Sequence, residues 1–132
     1  VVAGHADRVL VPGFSDARRR RALDAARRLG GEPATSAGRE TIARLLAAVS
    51  TGSSALVKRV LRGVDAVQIP ERQGPMRIVT PRLLRLVHDA DVEVHVWTVN
   101  DRHDMDRLLA LGVDGLVTDR ADLALNATAS RP

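Results

Sequence analysis

The fold is most constrained by residues 92–119, because this stretch contains a strand, a helix and a second strand with few residues between them. Val92, Val94 and Val96 alternate with a glutamate, a histidine and Trp97. This period of two predicts a strand that packs one face on helices and turns the other toward more polar surroundings. Trp97 shares the polar face and stands at the carboxyl end of the predicted strand.

A helix and a return strand follow. Asn100 and Asp101 are both good helix N-caps, the next apolar residues recur at helical spacing, and Gly112 is suited to end the helix. A tight turn then leads into a short apolar run at residues 116–118, and Asp119 follows it. The run is too brief for a helix and is placed where a βαβ crossover returns parallel to the first strand.

The rest of the chain repeats this alternation. Further strands are predicted at residues 9–11, 33–36 and 65–70, helices at 16–29, 38–49, 55–61, 81–87 and 122–127, a loop at 71–78 and a frayed end at 130–132. Strands that alternate with helices predict an α/β fold with a parallel sheet of five strands.

Two architectures fit five strands. One is the C-terminal portion of a (β/α)8 TIM-type barrel, since a complete barrel takes about 250 residues. The other is a complete, doubly wound five-stranded sheet. In the first case residues 1–132 form a single partial domain without its N-terminal strands. Such a fragment exposes two sheet edges, so we expect the missing strands to come from a longer chain or from a partner.

Composition excludes several function classes. The chain has no cysteine, which rules out disulfides and thiolate metal sites, and no apolar run approaches the roughly 20 residues that span a bilayer. The net charge of +4 comes almost wholly from arginine. Arg18 to Arg21 spread around one predicted helix, and only one Phe and one Trp could stack on bases, which disfavours nucleic-acid binding.

The N-terminal end is uninformative about location. No stretch resembles a signal peptide, but the chain opens on Val1 without an initiating methionine, so we expect residues to precede it. The compartment stays open, with the cytoplasm slightly favoured over export.

Several segments together resemble the C-terminal end of the glycerophosphodiester phosphodiesterase family. The segments are WTVN at 97–100, GVDG at 112–115 and TD at 118–119, with RVLVPGFSD at 8–16, PATSAG at 33–38 and DAVQIPERQG at 65–74 upstream. WTVN, GVDG and TD in this order are fairly specific, whereas GVDG alone occurs in many phosphate-binding barrels. The resemblance implies the barrel architecture, with these strands as roughly the fourth to the eighth.

The resemblance also implies a substrate-binding set at the carboxyl ends of the strands, where ligands of both architectures bind. The candidates are Phe14, Gln68, Glu71, Arg72, Trp97 and Asn100. The family's tryptophan lines the substrate pocket, though a core tryptophan is the alternative. The Arg72 fork suits phosphate, with a surface ion pair beside a turn as the alternative. Asn100 fits a helix cap better than a substrate contact. Gly13 stands where the family usually has serine, which removes a hydroxyl.

The remaining polar residues suggest little metal chemistry. His103, Asp104 and Asp106 lie in a first helical turn, where acids are favoured by the helix dipole without any metal. His88 is expected to be solvated, Asp114 to serve the turn, and Asp119 to cap the next helix or approach the site. No residue of the chain is a predicted catalytic residue or metal ligand.

The family's reaction implies components that this sequence lacks. A divalent metal, Ca or Mg, polarises the phosphodiester, and two histidines act as acid and base. The His-Arg-Gly and Glu-x-Asp strand ends that carry these groups are absent from the sequence. The resemblance therefore implies a phosphoric diester hydrolase of lipid metabolism, acting on a small-molecule glycerophosphodiester, whose ligands and missing N-terminal barrel half lie outside this chain. Alone, the chain is predicted to be inactive.

Two other functions remain open. One is a non-catalytic βα module that binds a phosphorylated ligand or a protein partner. The other is a flavodoxin-like receiver domain, which would want clustered acids at the end of its first strand, and residues 9–13 offer none.

Overall fold

A computed structural model of the chain describes residues 5, 6 and 8–129. The elements in this range, in chain order, are β1 (Leu10–Val11), α1 (Asp16–Arg28), β2 (Ala34–Thr35), α2 (Arg39–Thr51), α3 (Ser54–Val60), β3 (Ala66–Pro70), β4 (Arg72–Gln73), β5 (Met76–Arg77), α4 (Pro81–His88), β6 (Glu93–Trp97), α5 (Arg102–Leu111), β7 (Gly115–Leu116) and α6 (Ala121–Ala129). The predicted frayed end lies outside the described residues. No helix among the described residues is both long and apolar enough to cross a membrane.

The parallel strands follow one another across the sheet in the order of the chain. β1 pairs with β2, β6 lies between β3 and β7, and a bridge between Ser36 and Ala66 joins the two groups. The resulting order, β1-β2-β3-β6-β7, never reverses. A doubly wound sheet reverses its strand order at the switch point, whereas a barrel adds strands in sequence. The prediction of part of a TIM-type barrel is confirmed, and in the described range β1 and β7 are the two edges.

One face of the sheet packs against the helices. Val67, Ile69, Val94 and Val96 alternate along β3 and β6 and have no exposed surface. The fully buried apolar residues of the helices cover them: Leu45, Val57, Leu83, Val87, Met105 and Leu108. Each such side chain contributes about 1.5–3 kcal/mol by leaving water. The valine periodicity therefore decides which face of the sheet is available to a ligand.

Asp16 caps a helix that is not its own. Its carboxylate accepts hydrogen bonds from the backbone N–H of Gly38 at 3.1 Å, the N–H of Thr41 at 3.1 Å and the Thr41 hydroxyl at 2.9 Å. Gly38 is the N-cap of α2 and has no side chain to do this work. Asp16 is 1% exposed and lies 3.4 Å from Arg19 Nε. One carboxylate thus fastens the start of α1 to the start of α2.

Two turns of the same composition fasten other strands. Asp65 accepts a hydrogen bond from Thr35 N–H at 2.7 Å and donates its own N–H to Thr35 O. Asp114 does the same with Val94, where the carboxylate distance is 2.8 Å. Each aspartate follows a Gly-Val pair whose glycine has a positive φ, 71° at Gly63 and 101° at Gly112. Asp114 thus lies in the predicted turn and also hydrogen-bonds to the neighbouring strand β6.

Two local predictions were wrong. Residues 71–78, predicted as a loop, contain the antiparallel β4–β5 hairpin. The last strand is Gly115–Leu116 rather than residues 116–118. His88 is exposed, as predicted, and its Nε2 also lies 2.8 Å from an Asp114 carboxylate oxygen, a contact that was not predicted. The two errors and the missed contact have related causes, because each depends on a strand too short to show periodicity or on a partner distant in sequence.

We expect Asp16→Asn to reduce the free energy of unfolding by about 1.5–3 kcal/mol at neutral pH, because the buried carboxylate loses its charge-assisted hydrogen bonds. Burial raises the pKa of Asp16, but the Thr41 and Gly38 hydrogen bonds and the Arg19 charge outweigh it, so the pKa lies below its ordinary value. A carboxyl group whose pKa is lower in the folded state stabilises the protein at pH values above its unfolded pKa of about 4. This stabilisation is lost as the pH falls from there through the folded-state pKa.

Urea unfolding of both proteins at neutral pH and near pH 3 tests this prediction. The difference between wild type and Asp16→Asn should shrink at the lower pH. Asp24→Asn is the matched control, because Asp24 is on the same helix in an exposed pair, 3.6 Å from Arg27, and should change stability by no more than about 0.5 kcal/mol. Equal losses for the two variants would contradict a capping role.

Gly38→Ala should destabilise the chain by about 1–3 kcal/mol, because the added Cβ would lie 2.6 Å from the Asp16 carboxyl carbon. Gly13→Ala provides the control, since its Cβ would come no closer than 3.4 Å to Arg19 Cβ. Thermal unfolding of the two variants should separate them clearly, and a Gly38→Ala protein as stable as Gly13→Ala would refute the close approach.

Candidate functional site

The face of the sheet opposite the valines is more polar and more accessible. Successive side chains of a strand point to opposite faces, so Gln68 and Pro70 of β3 share this face with His95 and Trp97 of β6. The register places Gln68 beside His95 and Pro70 beside Trp97. The valine face is covered by helices, so this second face, which we call the inner face, is where a ligand can meet the carboxyl ends of the strands.

Trp97 lies at the carboxyl end of the inner face, with 38% of its surface exposed. Its β6 neighbour Val96 is fully buried on the other side. The alternation of residues 92–97 therefore predicted the side of the sheet on which the indole lies. The pocket role of Trp97 stays a prediction.

A row of polar groups crosses the inner face below Trp97. Ser36 Oγ lies 3.4 Å from Gln68 Oε1, and His95 Nε2 lies 2.9 Å from a Glu93 carboxylate oxygen. The His95 ring rests on Gly115, where an added Cβ would come within 2.7 Å of the ring. Ser36, Glu93 and His95 were not predicted as site residues. The alternation of β6 had already assigned the last two to the polar face.

Asn100 joins the ends of β6 and β7. Its Oδ1 accepts hydrogen bonds from Thr118 Oγ1 at 3.0 Å and Asp119 N–H at 2.9 Å, and its Nδ2 donates to an Asp119 carboxylate oxygen at 3.0 Å. The cap of α5 is Asp101, which accepts from Asp104 N–H at 3.1 Å. The prediction that Asn100 caps this helix was therefore wrong, and Asp119 lies at the same rim through its hydrogen bonds with Asn100.

Glu71 and Arg72 leave β3 in different directions. Glu71 pairs with Arg107 of α5 at 2.8 Å, and Arg107 also reaches Asp104 at 2.7 Å. The hydrogen bonds from Arg107 to Asp104 and then to Glu71 raise its pKa further above the usual range. Arg72 instead donates to Pro75 O at 3.1 Å within the exposed hairpin. The two residues are adjacent in sequence but do not pair with each other.

Phe14 lies apart from this group. It follows β1 and is 80% exposed, beside a shallow cleft of about 330 Å³. Three strand spacings of about 4.8 Å separate β1 from β6, or roughly 14 Å along the sheet. The structure therefore brings Gln68 and Trp97 together, keeps Asn100 at the same rim, and holds Phe14 at the far edge.

The described residues do not fit a divalent metal. They contain no group of three or more His, Asp or Glu residues that could hold one. The carboxylates near the strand ends already have partners, Glu71 on Arg107 and Asp119 on Asn100. Asp104 pairs with Arg107, and Asp106 lies 2.9 Å from Arg102. These acids serve ion pairs and hydrogen bonds within the chain.

Comparisons with known proteins agree with this architecture. The model of the glycerophosphoryl diester phosphodiesterase family matches residues 14–123. A Mycobacterium tuberculosis (strain H37Rv) protein named "Probable glycerophosphodiester phosphodiesterase 2" is 42% identical over 125 residues, which are 95% of this chain and 46% of that protein. The chain thus spans about half the length of this relative.

A solved structure is similar in fold. It is the crystal structure of a Silicibacter pomeroyi DSS-3 protein named as a glycerophosphoryl diester phosphodiesterase, matched with a TM-score of 0.53 and 21% identity over 96% of this chain and 53% of the other. The family match covers most of the chain, and the strand order agrees with part of a barrel. This chain belongs to the glycerophosphoryl diester phosphodiesterase family.

Proposed function

We propose that this chain is the C-terminal part of an enzyme that hydrolyses a glycerophosphodiester to an alcohol and glycerol phosphate. Family membership over residues 14–123 carries the proposal. The inner face supports it, because an exposed indole stands above a polar row at the carboxyl ends of parallel strands, where barrel enzymes bind their substrates.

Trp97 and Gln68 form the centre of the proposed substrate pocket. The indole of Trp97 supplies an apolar wall and one N–H donor for a glycerol or phosphate oxygen. Gln68 lies one strand away, and its amide orients a substrate hydroxyl. Phe14 extends the apolar wall toward the edge of the sheet.

Asn100 and Glu71 act in this proposal through other residues. The Asn100 amide oxygen accepts a hydrogen bond from Thr118, and its nitrogen donates one to Asp119, so Asn100 holds the rim beside Trp97 in place. Glu71 holds the start of the hairpin to α5 through Arg107. Arg72 projects its guanidinium fork from that hairpin, where it can meet a phosphate group.

The ion and the acid–base pair belong to other residues of the proposed enzyme. A bound Ca or Mg ion would polarise the phosphodiester and stabilise its developing charge. Because the described residues of this chain do not fit such an ion, we infer that its ligands lie in a barrel half supplied by a longer chain or by a partner. This chain alone is therefore expected to be inactive.

A chimaera tests the proposal. The part of the M. tuberculosis relative that this chain does not match would be joined to residues 1–132, and release of glycerol phosphate from glycerophosphocholine would be measured with Ca or Mg added. We expect the chimaera to hydrolyse the substrate and residues 1–132 alone to show no turnover. Turnover by the isolated chain would refute the division of roles.

Trp97→Ala in the active chimaera should lower kcat/KM by about ten-fold or more, since the pocket loses its apolar wall and a donor. Gln68→Ala should raise KM more than it lowers kcat if it orients bound substrate. Leu125→Ala is the control, because Leu125 is 69% exposed on α6, away from the strand ends. Unchanged kinetics for Trp97→Ala would show that the indole does not line the pocket.

A chimaera that folds but never turns over substrate would favour the other function, a non-catalytic module that binds a phosphorylated ligand.

A further inference from the structure

The β4–β5 hairpin presents an unusual charge arrangement. Arg72 and Arg77 are directly opposite each other in the antiparallel register, and both are exposed. Like charges at directly opposed positions destabilise a strand pair. Neither guanidinium is paired with a carboxylate among the described residues, since Arg72 donates to Pro75 O and the neighbouring acid, Glu71, is bound to Arg107. The hairpin thus presents two uncompensated positive charges to solvent.

The hairpin is held firmly at its base. The N–H groups of Ile78 and Val79 both donate to Glu71 O, at 2.9 and 3.2 Å, and these two residues are buried. The tip is a two-residue turn in which Gly74 has a φ of 58°, the positive value that the first central position of a type II′ turn requires. A short, anchored hairpin of this kind holds its two arginines side by side before any ligand arrives.

An exposed apolar side chain stands beside these charges. Met76 precedes Arg77 in β5, so its side chain points to the opposite face of the hairpin, and it is 59% exposed. Other large, exposed apolar residues lie at the carboxyl edge of the sheet, from which the hairpin emerges: Trp97 ends β6, Phe14 follows β1 and Val117 follows β7. Cationic side chains combined with exposed apolar ones are the composition of surfaces that bind the interface of a bilayer.

We propose that the hairpin of residues 72–77 docks the carboxyl edge of the sheet on an anionic lipid surface. The hairpin docks with its tip toward the lipid. Arg72 and Arg77 bind lipid phosphate groups on one face of the hairpin, which relieves their mutual repulsion, and Met76 enters the boundary between headgroups and acyl chains on the other face. A nucleic acid fits less well, because the hairpin carries no aromatic side chain on which a base could stack. The inference does not depend on the proposed hydrolase activity, since it concerns surface binding by this chain alone.

Vesicle sedimentation of residues 1–132 tests the inference. The chain should bind vesicles of phosphatidylcholine containing one-third phosphatidylglycerol, should bind pure phosphatidylcholine vesicles far more weakly, and should lose affinity as salt is added. The double variant R72Q/R77Q should bind the anionic vesicles about 30-fold more weakly, or roughly five-fold for each arginine. Met76→Ser should reduce binding in high salt, where the apolar contact accounts for more of the affinity.

R20Q/R21Q is the matched control, because it removes the same charge from exposed positions of α1. Its affinity for anionic vesicles should fall much less than that of R72Q/R77Q, and circular dichroism should confirm that both variants remain folded. Equal losses of affinity for the two double variants would show that binding depends only on net charge, which would overturn the proposal. Equal binding to neutral vesicles would overturn it as well. Displacement by millimolar inorganic phosphate at constant ionic strength would identify a phosphate site instead of a surface contact and also refute it.

Discussion

The parallel register between β3 and β6 is the constraint on which the rest of the structure depends. It sets Val67 beside Val94 and Ile69 beside Val96, so one face of the sheet becomes continuous and apolar and collects α4 and α5. The same register necessarily aligns Gln68 with His95 and Pro70 with Trp97 on the other face. A slip of one residue would move the valines of one strand to the inner face and its polar residues to the face that packs against the helices. The core and the candidate site are therefore two consequences of one pairing.

The other strands are too short to be held by backbone hydrogen bonds alone. β1, β2 and β7 are two residues each, and at their ends aspartates supply additional bonds. Asp65 ties β2 to β3, Asp114 ties β6 to β7, and Asp16 ties α1 to α2. Each carboxylate accepts backbone N–H groups that a longer ladder or a local cap would otherwise satisfy. Asp65 and Asp114 therefore add hydrogen bonds between neighbouring strands without lengthening the strands.

What the sequence could predict follows from the range of each signal. The period of two in residues 92–97 and the caps at Ser15, Thr80 and Asp101 are local, and the structure has the strand and the helices that they predict. The choice between Asn100 and Asp101 as the cap depends on distant residues. Asn100 hydrogen-bonds to Thr118 and Asp119, about one βα unit later in the chain, so Asp101 is the cap. The partner of His88 lies 26 positions away, too far for a local pattern to indicate it. The two-residue strands of the hairpin are too short to show a period.

The same local contacts decide which ligands the rim of this chain suits. Its rim offers an indole, amides and paired carboxylates, whose remaining hydrogen-bonding capacity suits a neutral, hydroxyl-bearing group. A divalent ion instead needs several carboxylate oxygens that converge and are free of cations. Here the nearest candidates, Glu71 and Asp104, share Arg107, so recruiting either to a metal would leave a half-buried guanidinium with one fewer partner. The ion pairs that join α5 to the hairpin thus work against metal binding at this rim.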